Sequence, residues 1–308
     1  MNSVPRRAAL MAMSREEVPP DLRDRVERAV RPIWDPRWTA RHGTRPDVEI
    51  LVTAHTDTDL TPEHLAALPG LRTILTTSTA VDYIDSTYCR QRGVSLHNTP
   101  DYTGSSVAEH AIALMLAVLR HIPRLDTAAR SGADTTSLVA RELSGMVAGV
   151  VGLGGIGTRI GNLVRGLGMS LVYVNRSRRE HPGARQVDLP DLLAAADVVF
   201  LSLPLAAGAG PLLGPAEFAV MKPSAVVVNI SADGLIDRTA LAAALTEGRI
   251  AGAGLDVIGD PARYADLPNT VLTPRHAWYT REAVRRRAQT WVDTLQGLVE
   301  GREVHRVL

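Results

Sequence analysis

Cysteine and lysine are almost missing from this 308-residue chain: Cys89 and Lys222 are the only examples of each. One cysteine excludes an internal disulfide framework and any multi-cysteine metal site, and it suits a reducing cytoplasm. Scarce lysine beside abundant arginine reflects genome base composition and not function. Net charge is also missing: 34 Lys plus Arg against 33 Asp plus Glu leave +1, which argues against binding a polyanion by bulk charge. No apolar run nears the roughly 18 residues of a membrane span. The longest, Ala111 to Leu119, has nine residues. Arg6 and Arg7 precede six apolar residues, Ala8 to Met13, fewer than the about 7–15 of a secretory leader. The nine histidines include no H-x-x-x-H pair, and there is no serine nucleophile elbow. Arg285-Arg286-Arg287 reads as a solvated helix face and not a nucleic-acid contact.

What remains is an ordinary globular composition, 45% apolar and 22% charged, at a length that suits about two domains of roughly 100–200 residues. The first twenty-odd residues, rich in Pro and charge, are expected to be partly loose. Strand-like runs follow at Glu49 to Thr53, Arg72 to Thr76 and Val94 to His97, with a helix over Thr61 to Leu68 that has Pro62 at its first position. Asn98-Thr99-Pro100 breaks this pattern. A helix is expected from Ser105 to about Arg120, apolar over most of its circumference, as if packed between domains or subunits. From Gly145 the alternation becomes strict. Apolar runs at Met146 to Val151, Leu171 to Val174, Val198 to Leu203, Ala225 to Ile230, Gly252 to Val257 and Thr270 to Thr273 are separated mostly by helix-like segments, among them Leu189 to Ala196 and Arg238 to Glu247. Strands this apolar belong to a parallel sheet covered on both faces, which is a doubly wound α/β domain. A last amphipathic helix runs from Thr280 to about Glu300.

Gly152-Leu153-Gly154-Gly155-Ile156-Gly157 is a G-x-G-x-x-G string that follows a strand-like run and opens a helix, the context a dinucleotide fingerprint requires. Gly152 allows the tight turn, Gly154 lets the backbone approach a pyrophosphate, and Gly157 lets the helix lie close to the sheet. The helix opening, at Gly155 and Ile156, offers free N–H groups and a dipole to the phosphates. The strand that follows ends in Asn175, Arg176, Ser177, Arg178 and Arg179. An NAD site usually carries a carboxylate there for the ribose 2′-hydroxyl. Asn, guanidinium and hydroxyl groups favour a 2′-phosphate, so NADP(H) is expected in preference to NAD(H).

Together with Asp82-Tyr83-Ile84-Asp85, Ser106-Val107-Ala108-Glu109-His110, Leu203-Pro204-Leu205, Met221-Lys222-Pro223, Gly234-Leu235-Ile236-Asp237 and Gly252-Ala253-Gly254-Leu255-Asp256-Val257, these motifs make the chain similar to the D-2-hydroxyacid dehydrogenase family from about Glu49 onward. The resemblance implies a Rossmann dinucleotide domain (about 100–276) inserted into a smaller flavodoxin-like α/β substrate domain (1–99 plus 277–308), with a cleft between them. It also implies a small-molecule substrate, no nucleic-acid or membrane partner, and a homodimer joined through the dinucleotide domain. Carried over residue by residue, Leu203 and Pro204 border the cofactor, Ile230, Ser231 and Ala232 lie along the nicotinamide, and Asp256 meets its carboxamide.

The family's chemistry needs an Arg for the 2-oxo carboxylate, a His as acid–base and a Glu to tune that His. Ala232 stands at the Arg position, with Asp233 beside it expected to repel a carboxylate. Asp260 of Ile258-Gly259-Asp260-Pro261 is the candidate for the Glu, displaced by one residue. Arg275 follows Thr273-Pro274 where the His belongs, and His276 comes next. Two readings compete: a one-residue bulge brings His276 into the acid–base position with Arg275 as a displaced carboxylate clamp, or Arg275 occupies the His position and His276 points elsewhere. Ser78, Thr79 and Ala80 replace the glycine-rich substrate loop, with hydroxyls standing in for some donors. His55 falls where many relatives carry a substrate-binding Arg, and Tyr102 is a further candidate lining residue, with Tyr83, Trp278 and Tyr279 beside it. The function then reads as an NADP(H)-dependent oxidoreductase acting on CH–OH donors with an atypical carbonyl or imine substrate. The alternatives are a pseudo-dehydrogenase that binds the dinucleotide for sensing or scaffolding, or a non-redox use of the fold.

Overall fold

A computed structural model of the chain describes residues 6–38, 43–54, 60–177, 179–206, 208–264 and 266–308. By contacts the chain separates into two compact units, Met1–Tyr102 with Arg281–Leu308, and Thr103–Thr280. These boundaries lie at 102/103 and 280/281, against the 99/100 and 276/277 read from sequence.

The first unit starts with a segment that the sequence reading left loose. Ala8–Ala12 is strand β1 and lies between β2 (Arg31–Trp34) and β3 (Val48–Thr53), paired parallel to both. Its alanines have little strand propensity of their own. Burial decides: Ala9, Leu10 and Met11 are each fully buried. Helix α1 (Pro20–Ala29), opened by Pro19-Pro20, joins β1 to β2. Beyond β3 come α2 (Pro62–Ala66), β4 (Thr73–Thr76), α3 (Ser86–Arg92) and β5 (Ser95–His97). The all-parallel order β2-β1-β3-β4-β5 is the flavodoxin-like one.

The second unit opens with α4 (Gly104–Leu119) and α5 (Ile122–Ser131), the latter not foreseen from sequence. Then come β6 (Val147–Val151), α6 (Gly155–Gly166), β7 (Ser170–Val174), the short β8 (Ala184–Gln186), α7 (Leu189–Ala195), β9 (Val198–Leu201) and α8 (Pro215–Val220). The unit closes with β10 (Val226–Asn229), α9 (Arg238–Thr246), β11 (Gly252–Leu255) and β12 (Thr270–Leu272). The sheet order is β12-β11-β10-β9-β6-β7-β8, parallel throughout. It reverses direction at the β6/β9 pair, and in such sheets ligands bind at the carboxyl ends of the strands beside that reversal. Helices α4 and α6 cover one face, α7, α8 and α9 the other.

Helix α4 lies on β10, β11, β12 and α6 of its own unit, with Leu114 over Gly254 and Val118 over Gly252. These contacts bury Val107, Ala108, Ala111, Leu114, Met115, Val118 and Leu119, while Ile112 and Leu116 stay partly exposed. The one lysine has a structural place as well. Lys222 and Arg141 both pair with the buried Asp197, which also accepts the Val147 N–H at 2.9 Å, tying the strand starts together. The last helix, α10 (Arg281–Val299), returns to the first unit and packs its Trp291, Val292 and Leu295 with α1 against the five-stranded sheet. Among the described residues, no single helix is long and apolar enough to cross a membrane, and no group of His, Cys, Asp or Glu side chains is placed to hold a metal ion.

Candidate active site

The glycine turn sits between β6 and α6, at the carboxyl end of the strand beside the reversal. Gly152 has φ +95°, and a Cβ there would stand 2.8 Å from both the Leu203 Cβ and the Ser202 carbonyl oxygen. A Cβ on Gly157 would stand 2.1 Å from the Gly152 carbonyl oxygen. Both positions admit only glycine. Gly154 differs: nothing lies within 4 Å of its missing Cβ, so the turn faces open space there. The residues that open α6 thus border open space on that side, where a dinucleotide's phosphates need close backbone approach. Sequence reading missed Ser202, whose hydroxyl donates to the Gly152 carbonyl at 2.6 Å and pins the turn to the end of β9.

At the end of β7 the Asn175 amide donates to the Ser177 carbonyl at 2.9 Å and to its hydroxyl at 3.3 Å, while its own carbonyl accepts from Gln186. Asn175 therefore shapes the turn that presents Arg176 and Ser177, both exposed. Arg178 lies outside the described residues. The Tyr173 hydroxyl donates to the Arg179 carbonyl.

Beyond β10, the buried Asn229 makes the next turn: its amide donates to the Ala232 carbonyl at 2.8 Å and its oxygen accepts the Ser231 N–H at 3.1 Å. This holds Ile230, Ser231 and Ala232 in fixed order. Asp233 was expected to repel a substrate carboxylate. Its charge is instead compensated. Tyr264 donates to Oδ1 at 2.7 Å and Arg238 pairs with Oδ2 at 2.8 Å. Burial and this carboxylate push the Tyr264 phenol well above its usual range. Gly259 approaches so closely that a Cβ would stand 2.7 Å from Asp233 Oδ2. The segment 258–264 is therefore gathered around Asp233. Asp260, the candidate for the family's Glu, is the N-cap of the turn at Pro261–Arg263 and pairs with Arg263 at 3.3 Å, its side chain half exposed. The hydrogen bonds and ion pairs of the described residues do not join it to Arg275 or His276.

A second knot ties β11 to β12. Asp256, 3% exposed, accepts the Thr273 hydroxyl at 2.6 Å, the His276 N–H at 2.8 Å and the Ala277 N–H at 3.1 Å. Arg275 makes the turn itself with φ 53°, in the left-handed region that non-glycine residues seldom adopt, and its N–H donates to the Asp256 carbonyl. The side chains of Arg275 and His276 are both exposed. The His276 ring lies 5.1 Å from that of Tyr279, which in turn meets Trp278 edge-on at 5.1 Å. From α4, His110 reaches the same knot, its Nε2 2.9 Å from the Thr273 hydroxyl and 3.6 Å from Asp256. Sequence reading quoted His110 only as a motif letter.

The first unit holds the remaining candidates. The Ser78 hydroxyl donates to the Ala80 carbonyl at 3.0 Å, and that of Thr79 to the Thr99 carbonyl at 3.1 Å. Both hydroxyls thus have backbone carbonyl acceptors within the first unit. Tyr83 is buried and donates to Thr76 at 2.6 Å. Tyr102 is 8% exposed, and burial raises its pKa. His55 lies outside the described residues.

The family profile of the D-isomer specific 2-hydroxyacid dehydrogenase NAD binding domain matches residues 112–277. The glyoxylate reductase of Thermococcus litoralis is 35% identical over 271 residues, covering 83% of this chain and 82% of that one. Among solved structures, an acyclic imino acid reductase in complex with NADPH and D-Arg superposes with a TM-score of 0.87 at 26% identity, over 98% of this chain and 100% of the other. A glyoxylate reductase from Paecilomyes thermophila gives 0.87 at 27%, over 99% of each. The chain belongs to the D-2-hydroxyacid dehydrogenase family. It is accordingly an NAD(P)-dependent oxidoreductase built on the Rossmann-type fold of that family.

Proposed function

We propose that the protein is an NADP(H)-dependent reductase of a carbonyl or imine compound that is not gripped as a simple 2-oxo acid. The observation that carries this reading is the residue pattern beyond β10 and β12: alanine at 232 in place of the carboxylate-binding arginine, and Arg275 followed by His276 in place of the acid–base histidine. Residues present fit the dinucleotide. The open side of Gly154 suits a pyrophosphate, Gly155, Ile156 and Gly157 supply backbone N–H groups, and Arg176 and Ser177 suit a 2′-phosphate, with no carboxylate at the end of β7 to repel it. The NADPH in the related imino acid reductase supports the same preference.

NADPH, when bound, supplies the hydride. The chain's own residues then order the acceptor and provide a proton. Leu203 and Pro204 border the cofactor, Ile230, Ser231 and Ala232 lie along the nicotinamide, and Asp256 meets its carboxamide. His276 protonates the reduced oxygen or nitrogen, Arg275 contacts an anionic part of the substrate, and Ser78, Thr79, Ala80 and Tyr102 belong to the substrate side. The protein works in the cytoplasm, and two copies pair through the 103–280 unit, where Ile122 and Val139 are large apolar side chains left 54% and 79% exposed.

The test follows NADPH and NADH oxidation against glyoxylate, pyruvate, bulkier 2-oxo acids and mixtures of 2-oxo acids with amines. The expected result is NADPH oxidation with the amine mixtures or bulky acceptors. Rapid reduction of glyoxylate with NADH overturns the reading. One observation favours a second reading, a dinucleotide-binding sensor without turnover: Asp260 is engaged with Ala262 and Arg263 and not with His276. Tight NADPH binding with no acceptor in the panel, together with oxo-acid reduction gained by Ala232→Arg with Arg275→His, selects that one.

A further inference from the structure

Three side chains between α4 and the turn beyond β12, those of His110, Thr273 and Asp256, form a ladder whose direction can be worked out. A carboxylate only accepts, so the Thr273 hydroxyl at 2.6 Å donates to Asp256. Its oxygen is then left to accept, so the His110 Nε2 at 2.9 Å carries the hydrogen. The ring is therefore the Nε2–H tautomer, and the chain of donation runs from His110 through Thr273 to Asp256. The same oxygen, Oδ1, collects the N–H groups of His276 and Ala277, the latter shared with Oδ2 at 3.1 Å. One buried carboxylate thus receives a side-chain ladder from α4 and the main chain of the turn that displays Arg275 and His276.

We propose that His110 is a positioning residue of this enzyme: through Thr273 and Asp256 it fixes the turn that presents Arg275 and His276. This rests on the reading of that turn as part of a reductase site. Two features support it. The turn carries a left-handed residue, Arg275 with φ 53°, a conformation that persists only where surrounding bonds hold it. The titratable groups facing the imidazole are Asp256, beyond β11, and His276, beyond β12, so the ring lies close to both the carboxylate and the turn it binds. Burial holds His110 below the ordinary histidine value, with Asp256 opposing and His276 adding to the shift.

The experiment is amide hydrogen exchange, read by mass spectrometry on the full chain over the segment 273–280, for the wild type, His110→Gln, His110→Leu and Thr273→Val. Glutamine keeps an N–H donor at similar reach; leucine keeps only bulk. Loss of the rung is expected to speed exchange of the His276 and Ala277 amides about tenfold in His110→Leu and Thr273→Val, with no further gain when these two substitutions are combined. His110→Gln should stay within about threefold of wild type. Once intrinsic exchange chemistry is subtracted, the wild-type rate should bend across the histidine titration, and that bend should vanish in His110→Gln. With an acceptor that turns over, His110→Leu should lower kcat and leave KM nearly unchanged, and His110→Gln should restore most of it. Identical exchange in His110→Leu and wild type, or equal loss in the Leu and Gln variants, overturns the proposal. If exchange behaves as expected and no acceptor oxidises NADPH, the reductase reading fails and the ladder stands. Turnover with unaltered exchange does the reverse.

Discussion

At the end of β6 the site is made of backbone, whereas at the ends of β10, β11 and β12 it is made of charge. The first region needs the absence of side chains: Gly152 and Gly157 have no room for a Cβ, and Gly154 faces open space. The second needs particular side chains that hold one another: Asp233 with Tyr264 and Arg238, and Asp256 with Thr273, His276 and Ala277. A backbone cradle tolerates almost no variation, so it keeps its pattern. A network of charges can be rebuilt when its members change together. The segment 258–264 is one such network, folded onto Asp233, with Gly259 leaving space for that carboxylate.

The strongest way to break this contrast is Gly157→Ala. A methyl group placed 2.1 Å from a backbone carbonyl cannot be relieved by a rotamer change. The cost should exceed the about 1–3 kcal/mol of ordinary overpacking, and NADPH affinity should fall more than about tenfold. Calorimetry and cofactor fluorescence titration measure the two. Next comes Asp256→Asn. It removes the charge from the oxygen on which one hydroxyl and two amides converge and sets an NH2 at the Oδ2 position against the Ala277 N–H, for about 1–3 kcal/mol. If the melting temperature does not change, the knot is ornamental. Third, Tyr264→Phe removes a donor from the Asp233 carboxylate, worth about 1–2 kcal/mol, and should also loosen 258–264 to limited proteolysis. A variant as resistant as wild type would mean that the segment is held by something else.

The smallest effect sharpens the comparison from outside the site. His97, buried with Nδ1 2.8 Å from the Val304 carbonyl, is held by burial below its ordinary 6.5. A depressed folded value means that the unfolded chain takes up the proton first. The stability it contributes is therefore complete above 6.5 and is lost as pH falls through that value toward the lower folded one. His110 acts in the same direction. Melting curves across about pH 5 to 8 should slope downward toward acid, and His97→Asn should flatten part of that slope. An unchanged slope in the variant removes His97 from the account.

How much of this could be read from residues alone follows the same division. The glycine turn announced itself because its sequence is its geometry. Long apolar strands such as Val226–Asn229 and Val198–Leu201 were legible because burial on both faces leaves an unbroken run. Strand β1 was not, since Ala8–Ala12 is a strand only because β2 and β3 flank it. The short β8 and α8 were missed for want of a period long enough to detect. Within the site, the residues that escaped were those whose partners are distant in sequence. Asp233 meets Tyr264 31 positions on, and His110 meets Thr273 163 positions on. The Thr79 hydroxyl likewise finds its acceptor, the Thr99 carbonyl, 20 positions on.

The five-stranded unit is assembled from both ends of the chain. The tail pairs with β5 through bonds such as Val307 N–H to the Leu96 carbonyl at 2.8 Å, and α10 seals one face of its sheet. While the polypeptide is still emerging from the ribosome, residues 103–280 therefore have all their own strands and helices before the earlier-made sheet has its last helix. The half synthesised first must wait, partly uncovered, and is completed last.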